Sequence, residues 1–235
     1  MAPKAFIFDV FGTLVDWRSS VARALTPVLL HKGIATDPLA FADAWRGQYQ
    51  PAMTRIRNRT RGYVALDVLH RENLEAVLGQ LGVAAQFTPE EKAQLTRAWE
   101  ALDPWPDSAK GLKRLRKIGL IAPCSNGSIA LMSHLARHAG FHWDCILGAE
   151  IAQDYKPNAA VYLASCTALG LAPADVMMVA AHSSDLEAAR QAGLQTGFFP
   201  RPLEYGDPAK AELKPSDDFE VVADDLEDLA RQLGA

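Results

Sequence analysis

Asp9 follows the apolar run Ala5–Phe8 and precedes Val10-Phe11-Gly12-Thr13-Leu14. Such a run reads as a buried strand, which puts the carboxylate at the strand's carboxyl end, where open α/β sheets form their ligand crevice. Gly12 lets the chain turn away sharply, and Thr13 sets a hydroxyl beside the turn. A carboxylate there suits nucleophilic work, because it can form a covalent ester and split one hard displacement into two easier steps. On these residues alone, a polar cap after a first strand is an equal reading.

Three more segments, each expected at a strand tip, carry chemistry-bearing groups: Ser125-Asn126-Gly127-Ser128, Tyr155-Lys156-Pro157-Asn158, and Val179-Ala180-Ala181-His182-Ser183-Ser184-Asp185. The first follows an apolar stretch and opens a helix. Its hydroxyl, amide and helix N-terminus would donate to an anion, or it is an ordinary loop and cap. A lysine near Asp9 would keep it ionised and balance charge in a transition state; a lone lysine is otherwise a solvated surface charge.

The elements that must position these groups fall into two blocks. Residues 15–102 are helical in pattern. Val21, Leu25, Val28 and Leu29 share a helical face, and Phe41, Trp45 and Tyr49 recur at i, i+4, i+8. Pro27 and Pro51 are predicted to kink or break their helices. Asp37-Pro38 is a helix start. A third helix carries Leu66, Leu69, Val77 and Leu78, and Thr88-Pro89-Glu90-Glu91 is a capping box opening a fourth. Asp103-Pro104-Trp105-Pro106 ends the pattern. Apolar strands at 120–124, 144–147, 175–180, 195–199 and 220–222 then alternate with helices. Pro123 prefers an edge or an irregular end. The expectation is a doubly wound, mainly parallel Rossmann-like sheet formed by 1–14 and 103–235, with an all-helical cap inserted over 15–102.

With the order of segments in place, Asp9-Val10-Phe11-Gly12-Thr13-Leu14 resembles the first motif of the haloacid dehalogenase superfamily, and the chain is similar to its type II L-2-haloacid dehalogenases from about Phe6 to Phe199. Ser125-Asn126-Gly127 resembles the second motif and Lys156-Pro157 the third. The resemblance implies Asp9 as nucleophile, Thr13, Lys156 and Asp185 as catalytic partners, and substrate contacts from Phe11, Arg46, Ser125, Asn126, Tyr162 and His182. Phosphatases of the superfamily usually place a second aspartate where this chain has Phe11, and metal-using members pair acids where it has Asp185 alone. That leaves too few oxygen ligands for Mg²⁺, and the expectation is no metal and no cofactor. Trp45-Arg46 matches a cap arginine able to bind a carboxylate or a departing halide, and is also readable as a surface arginine on an amphipathic helix. Tyr162 matches a family tyrosine and reads equally as a half-buried helix residue. Ala180, His182 and Ser184 depart from a family serine, asparagine and tryptophan. His182 is either a halide-site determinant or a ring bonded to neighbouring backbone.

Composition sets the outer bounds. The chain has 235 residues, 49% hydrophobic and 22% charged, with a net charge of −4, so no bulk-charge attraction to nucleic acid follows. Three unpatterned cysteines suggest reduced, buried thiols in a cytoplasmic protein. No signal peptide opens the chain, and no apolar run approaches the ~20 residues of a membrane helix. The run Arg55, Arg57, Arg59, Arg61 reads as a solvated helix face. The function implied is hydrolysis of short 2-haloacids, with a small halogenated carboxylate as partner and a homodimer as assembly. A Mg²⁺-dependent phosphatase and a catalytically idle binding protein are the alternatives.

Overall fold

The computed structural model describes residues 2–235. Its strands are Ala5–Phe8 (β1), Val15–Asp16 (β2), Asp103–Pro104 (β3), Leu120–Ser125 (β4), Leu147–Gly148 (β5), Val176–Ala180 (β6), Gln195–Phe198 (β7) and Val221–Val222 (β8). Six form one sheet in the order β5-β4-β1-β6-β7-β8, every pair parallel. The first strand is central, with Phe8 opposite Pro123 on one side and Val179 on the other. The chain runs outward from β1 to β4 and β5, then crosses to β6 on the opposite flank. The carboxyl end of β1 is therefore the topological switch point of the sheet.

Alternation along β1 divides two cores, as period-two geometry requires. Phe6 and Phe8 join Ile121, Met177 and Val179 on one face. Ala5 and Ile7 join Cys124, Met178, Tyr162 and Leu186 on the other. All four β1 side chains are fully buried. Helices cover both faces: Ser108–Leu115, Ile129–Ala139 and Leu226–Gln232 lie with the first core, and Ala159–Leu169 and Ser183–Gln191 with the second.

Between β2 and β3 stand five α-helices: Trp17–His31 (α1), Pro38–Gly47 (α2), Tyr49–Arg57 (α3), Leu66–Gln80 (α4) and Pro89–Thr96 (α5). The antiparallel pair of β2 and β3, with Val15 opposite Pro104 and Asp16 opposite Asp103, ties the two ends of this helical segment together. The capping box at Thr88 is formed reciprocally with Glu91.

Several expectations need correction. Helix α1 runs unbroken through Pro27. The break expected at Pro51 falls at Gln48, and Pro51 sits in the first turn of α3, where a missing N–H is harmless. Pro123 lies in an interior strand, yet β5 pairs only with Cys124 and Ser125, so the outer flank of β4 has no partner strand at the proline. Strand β5 is two residues rather than the expected four, and Cys145 beside it is only half-buried. Among the described residues no helix is long and apolar enough to cross a membrane.

Candidate active site

Asp9 is the first residue beyond β1 and lies at the base of a cavity of about 460 Å³ walled by both the sheet tips and the helical segment. Its carboxylate is fully engaged. Oδ2 accepts from Thr13 Oγ1 at 2.7 Å and lies 3.2 Å from His182 Nδ1; Oδ1 accepts from Lys156 Nζ at 2.9 Å. Thr13 is oriented in turn, because its Oγ1 accepts from Ala181 N. Burial alone would raise the Asp9 pKa, but the Lys156 ammonium and the His182 imidazole outweigh it and hold the carboxyl far below the ordinary range.

Lys156 is brought in by a turn before the helix opening at Ala159. Its backbone N–H donates to Asn126 Oδ1, and its carbonyl accepts from Arg57 Nη1. Its ammonium bridges Asp9 and Asp185, with Asp185 Oδ2 at 2.5 Å. Burial opposes that charge, yet Asp185 and Asp9 together raise the Lys156 pKa above its usual value. Asp185 is in the first turn of the helix from Ser183, and Tyr162 donates to its Oδ1 at 2.5 Å. Burial and then the nearby Asp9 charge push the Asp185 carboxyl upward, against Lys156.

Most residues singled out from the sequence come together here. Asp9, Phe11, Arg46, Asn126, Lys156, His182 and Asp185 all line the cavity. Thr13, Ser125 and Tyr162 do not. The Ser125 hydroxyl is wholly buried and accepts from Gly127 N, so it shapes the loop that presents Asn126. Tyr162 stands behind Asp185 and positions it, rather than facing the cavity.

Arg46 enters from α2 over a wall of rings. Its guanidinium carbon is 3.9 Å from the Tyr49 ring centroid, 5.4 Å from that of Trp17 and 5.8 Å from that of Phe11. Its Nη1 is buried with no hydrogen-bond partner. A buried donor without an acceptor is costly, and here it belongs to a cation beside the cavity. A guanidinium so placed has the chemistry to take an anion.

His182 follows β6, and its contacts differ from both sequence readings. Neither ring nitrogen meets backbone, and neither is free for a halide: Nδ1 lies against Asp9, and Nε2 is 2.8 Å from Glu204 Oε2. Burial would lower its pKa, but Glu204 and then Asp9 bring it up to about 10.

Glu204 was not legible as a site residue. It is buried in the loop beyond β7, where its Oε1 accepts from Trp17 Nε1 at 3.2 Å. A carboxylate a few residues past a strand tip is the only signal it gives. The basic run is corrected too. Arg57 and Arg59 reach the sheet domain, at Lys156 O and Asp154, while Arg61 pairs with Glu72.

A sequence model of the haloacid dehalogenase-like hydrolase family matches residues 3–193. The chain belongs to that family. Crystal structures of two L-2-haloacid dehalogenases superpose over nearly the whole of this hydrolase. One is described as defluorinating and is 43% identical with a TM-score of 0.96, covering 99% of this chain and 96% of its own. The other is 44% identical with a TM-score of 0.93, covering 99% of both. The (S)-2-haloacid dehalogenase of Pseudomonas putida is 28% identical over 193 residues, 81% of each chain.

Proposed function

We propose that this hydrolase dehalogenates short 2-haloacids to 2-hydroxy acids through an ester on Asp9. The observation that carries the reading is the pairing of a carboxylate held ionised by Lys156 and His182 with the unpartnered Arg46 guanidinium lining the same cavity. Relatives named L-2- and (S)-2-haloacid dehalogenases support it.

Asp9 Oδ1 attacks the carbon bearing the halogen from behind, forming a C–O bond as the carbon–halogen bond breaks with inversion. The halide leaves toward Arg46, whose flanking rings give the low-polarity wall that a carbon–halogen centre favours. Asn126 faces the substrate carboxylate, its Oδ1 already engaged by Lys156 N. Water then attacks Cγ of the Asp9 ester, and Asp185 takes its proton. Lys156 stands between the two carboxylates and balances their charge. Among the described residues, no three His, Cys, Asp or Glu side chains gather as metal ligands. The chemistry proposed needs neither metal nor cofactor.

A single turnover of chloroacetate in ¹⁸O-water tests this. The hydroxyl of the product should carry ordinary oxygen from Asp9, and the label should enter the Asp9 carboxylate. Label in the first product would mean direct attack by water and would end the ester reading.

A further inference from the structure

His182 lies between two carboxylates. Both ring nitrogens are within hydrogen-bonding distance of oxygens that only accept, Asp9 Oδ2 at 3.2 Å and Glu204 Oε2 at 2.8 Å. A ring so bracketed carries a hydrogen on each nitrogen and is an imidazolium. Glu204 is itself fixed. Trp17 Nε1 donates to its other oxygen, and the carboxylate lies directly on Gly12, where an added Cβ would come within 2.0 Å of Oε1. Gly12 also has φ +89°, so the glycine meets two demands, the left-handed turn and the close approach of Glu204.

The two oxygens of Asp9 stand in different surroundings. Oδ1 faces the Lys156 ammonium. Oδ2 faces the Thr13 hydroxyl at 2.7 Å and the His182 ring. When Oδ1 carries the ester, Oδ2 is its carbonyl oxygen, and negative charge collects there as water adds to Cγ. Donors already in place where charge will develop need no reorganisation during the reaction.

We propose that His182, held by Glu204, forms with Thr13 an oxyanion site for hydrolysis of the Asp9 ester. The inference rests on the covalent reading of the dehalogenation and adds the group that drives its second half. Water oxygen bonds to Cγ, one water proton passes to Asp185, and the carbonyl electron pair moves onto Oδ2 between Thr13 and His182. Collapse returns that pair to the carbonyl and breaks the Cγ–Oδ1 bond. The departing alkoxide takes a proton from Lys156, which regains one from Asp185. The new Asp9 carboxyl then ionises, so one proton leaves to solvent for each turnover. His182 remains protonated throughout and touches the reacting oxygen. Glu204 is a positioning residue.

This division predicts which half-reaction suffers. During alkylation Lys156 also keeps Asp9 ionised, and the imidazolium draws charge from the nucleophile. During ester hydrolysis it stabilises the intermediate. The test is rapid-quench kinetics with chloroacetate on native enzyme, His182→Gln and Glu204→Gln. Halide is counted, and the carboxymethyl ester is followed by intact-protein mass spectrometry. In His182→Gln halide should still appear in a burst of one per site, the ester should accumulate, and hydrolysis should slow by more than alkylation does, on the order of 10²-fold. Glu204→Gln keeps an acceptor for Trp17. It should show a smaller accumulation, with the alkaline limb of ester hydrolysis moved to lower pH. If the burst slows in step with turnover and no ester builds up in either variant, His182 is not an oxyanion donor. The ¹⁸O single turnover of native enzyme reports on the ester by itself, so the two ideas fail separately.

Discussion

Arg46 Nη1 is buried without a partner while the same guanidinium lies over the Tyr49 ring, 3.9 Å from its centroid. Stability alone does not explain this arrangement, because a half-buried cation normally finds a carboxylate. The expected signature is a split between activity and stability. Arg46→Met should lower kcat/KM on the order of 10²-fold and leave the melting temperature unchanged or raised. Arg46→Lys should recover little, since an ammonium neither stacks on the ring nor presents a planar fork. A variant that loses stability but keeps halide release would show that Arg46 is merely structural.

A second expectation concerns metal. Phe11 packs edge-on against Tyr49, His70 and Trp99, so an aromatic wall stands where an acid would be needed. Dehalogenation should survive exhaustive chelation, and added Mg²⁺ should not stimulate it. Loss on chelation with recovery on Mg²⁺ would move the chain to phosphoryl chemistry.

Much of this site was legible because its residues sit at strand tips, where local pattern is strong. Asp9 and Asn126 each follow an apolar run that had to be a strand, and His182 and Asp185 follow a third, so parallel pairing brought them together. Lys156, expected at a strand tip, instead follows a short helix at Ala149–Ala152, and its motif context is what set it apart from a surface lysine. Glu204 was missed for a physical reason: the loop beyond β7 has no periodicity to read. It is placed by the bidentate pair of Arg201 with Asp107, at 2.8 and 2.9 Å, a contact 94 residues apart in sequence. The roles of Tyr162 and Ser125 were likewise out of reach, since facing the cavity and standing just behind it differ by one shell of packing.

That Arg201 pair yields a stability test. The side chains of both residues are almost fully buried, Arg201 Nε also donates to Thr13 O, and Asp107 accepts from Leu226 N. Breaking a buried pair leaves an uncompensated charge and costs about 3–5 kcal/mol. Arg201→Met should destabilise by that order in urea unfolding. It should also weaken activity through the displaced Glu204 loop. A loss below about 1 kcal/mol, the range of exposed pairs, would mean that the pair does not anchor the loop.

His182 gives a pH-dependent contribution with a definite sign. Its pKa rises from an ordinary 6.5 to about 10 on folding. The folded state therefore binds the proton more tightly than the unfolded chain. The resulting stability is fully present below pH 6.5 and is lost as pH climbs toward 10. Melting temperature across that window should fall more steeply for native enzyme than for His182→Gln. Parallel curves would place the native imidazole pKa near its ordinary value.

The last expectation concerns the leaving group. Fluoride departs only when the developing anion is strongly stabilised, and a small, hard anion takes strong hydrogen bonds best. One of the two sequence readings of His182 had it supply them, but both its nitrogens are held by carboxylates. Among the donors around the cavity, the Arg46 guanidinium is the one assigned here to the halide, because its Nη1 is buried without a partner. Fluoroacetate should therefore be turned over alongside chloroacetate, and fluoride release should depend on Arg46 more steeply than chloride release does. The measurement is the fluoride-to-chloride rate ratio in native enzyme, Arg46→Lys and His182→Asn, with halide formation read in the first turnover. The ratio should fall in Arg46→Lys and stay near the native value in His182→Asn, whose larger defect lies after halide has left. A ratio that collapses in His182→Asn and holds in Arg46→Lys would return the halide site to the imidazole.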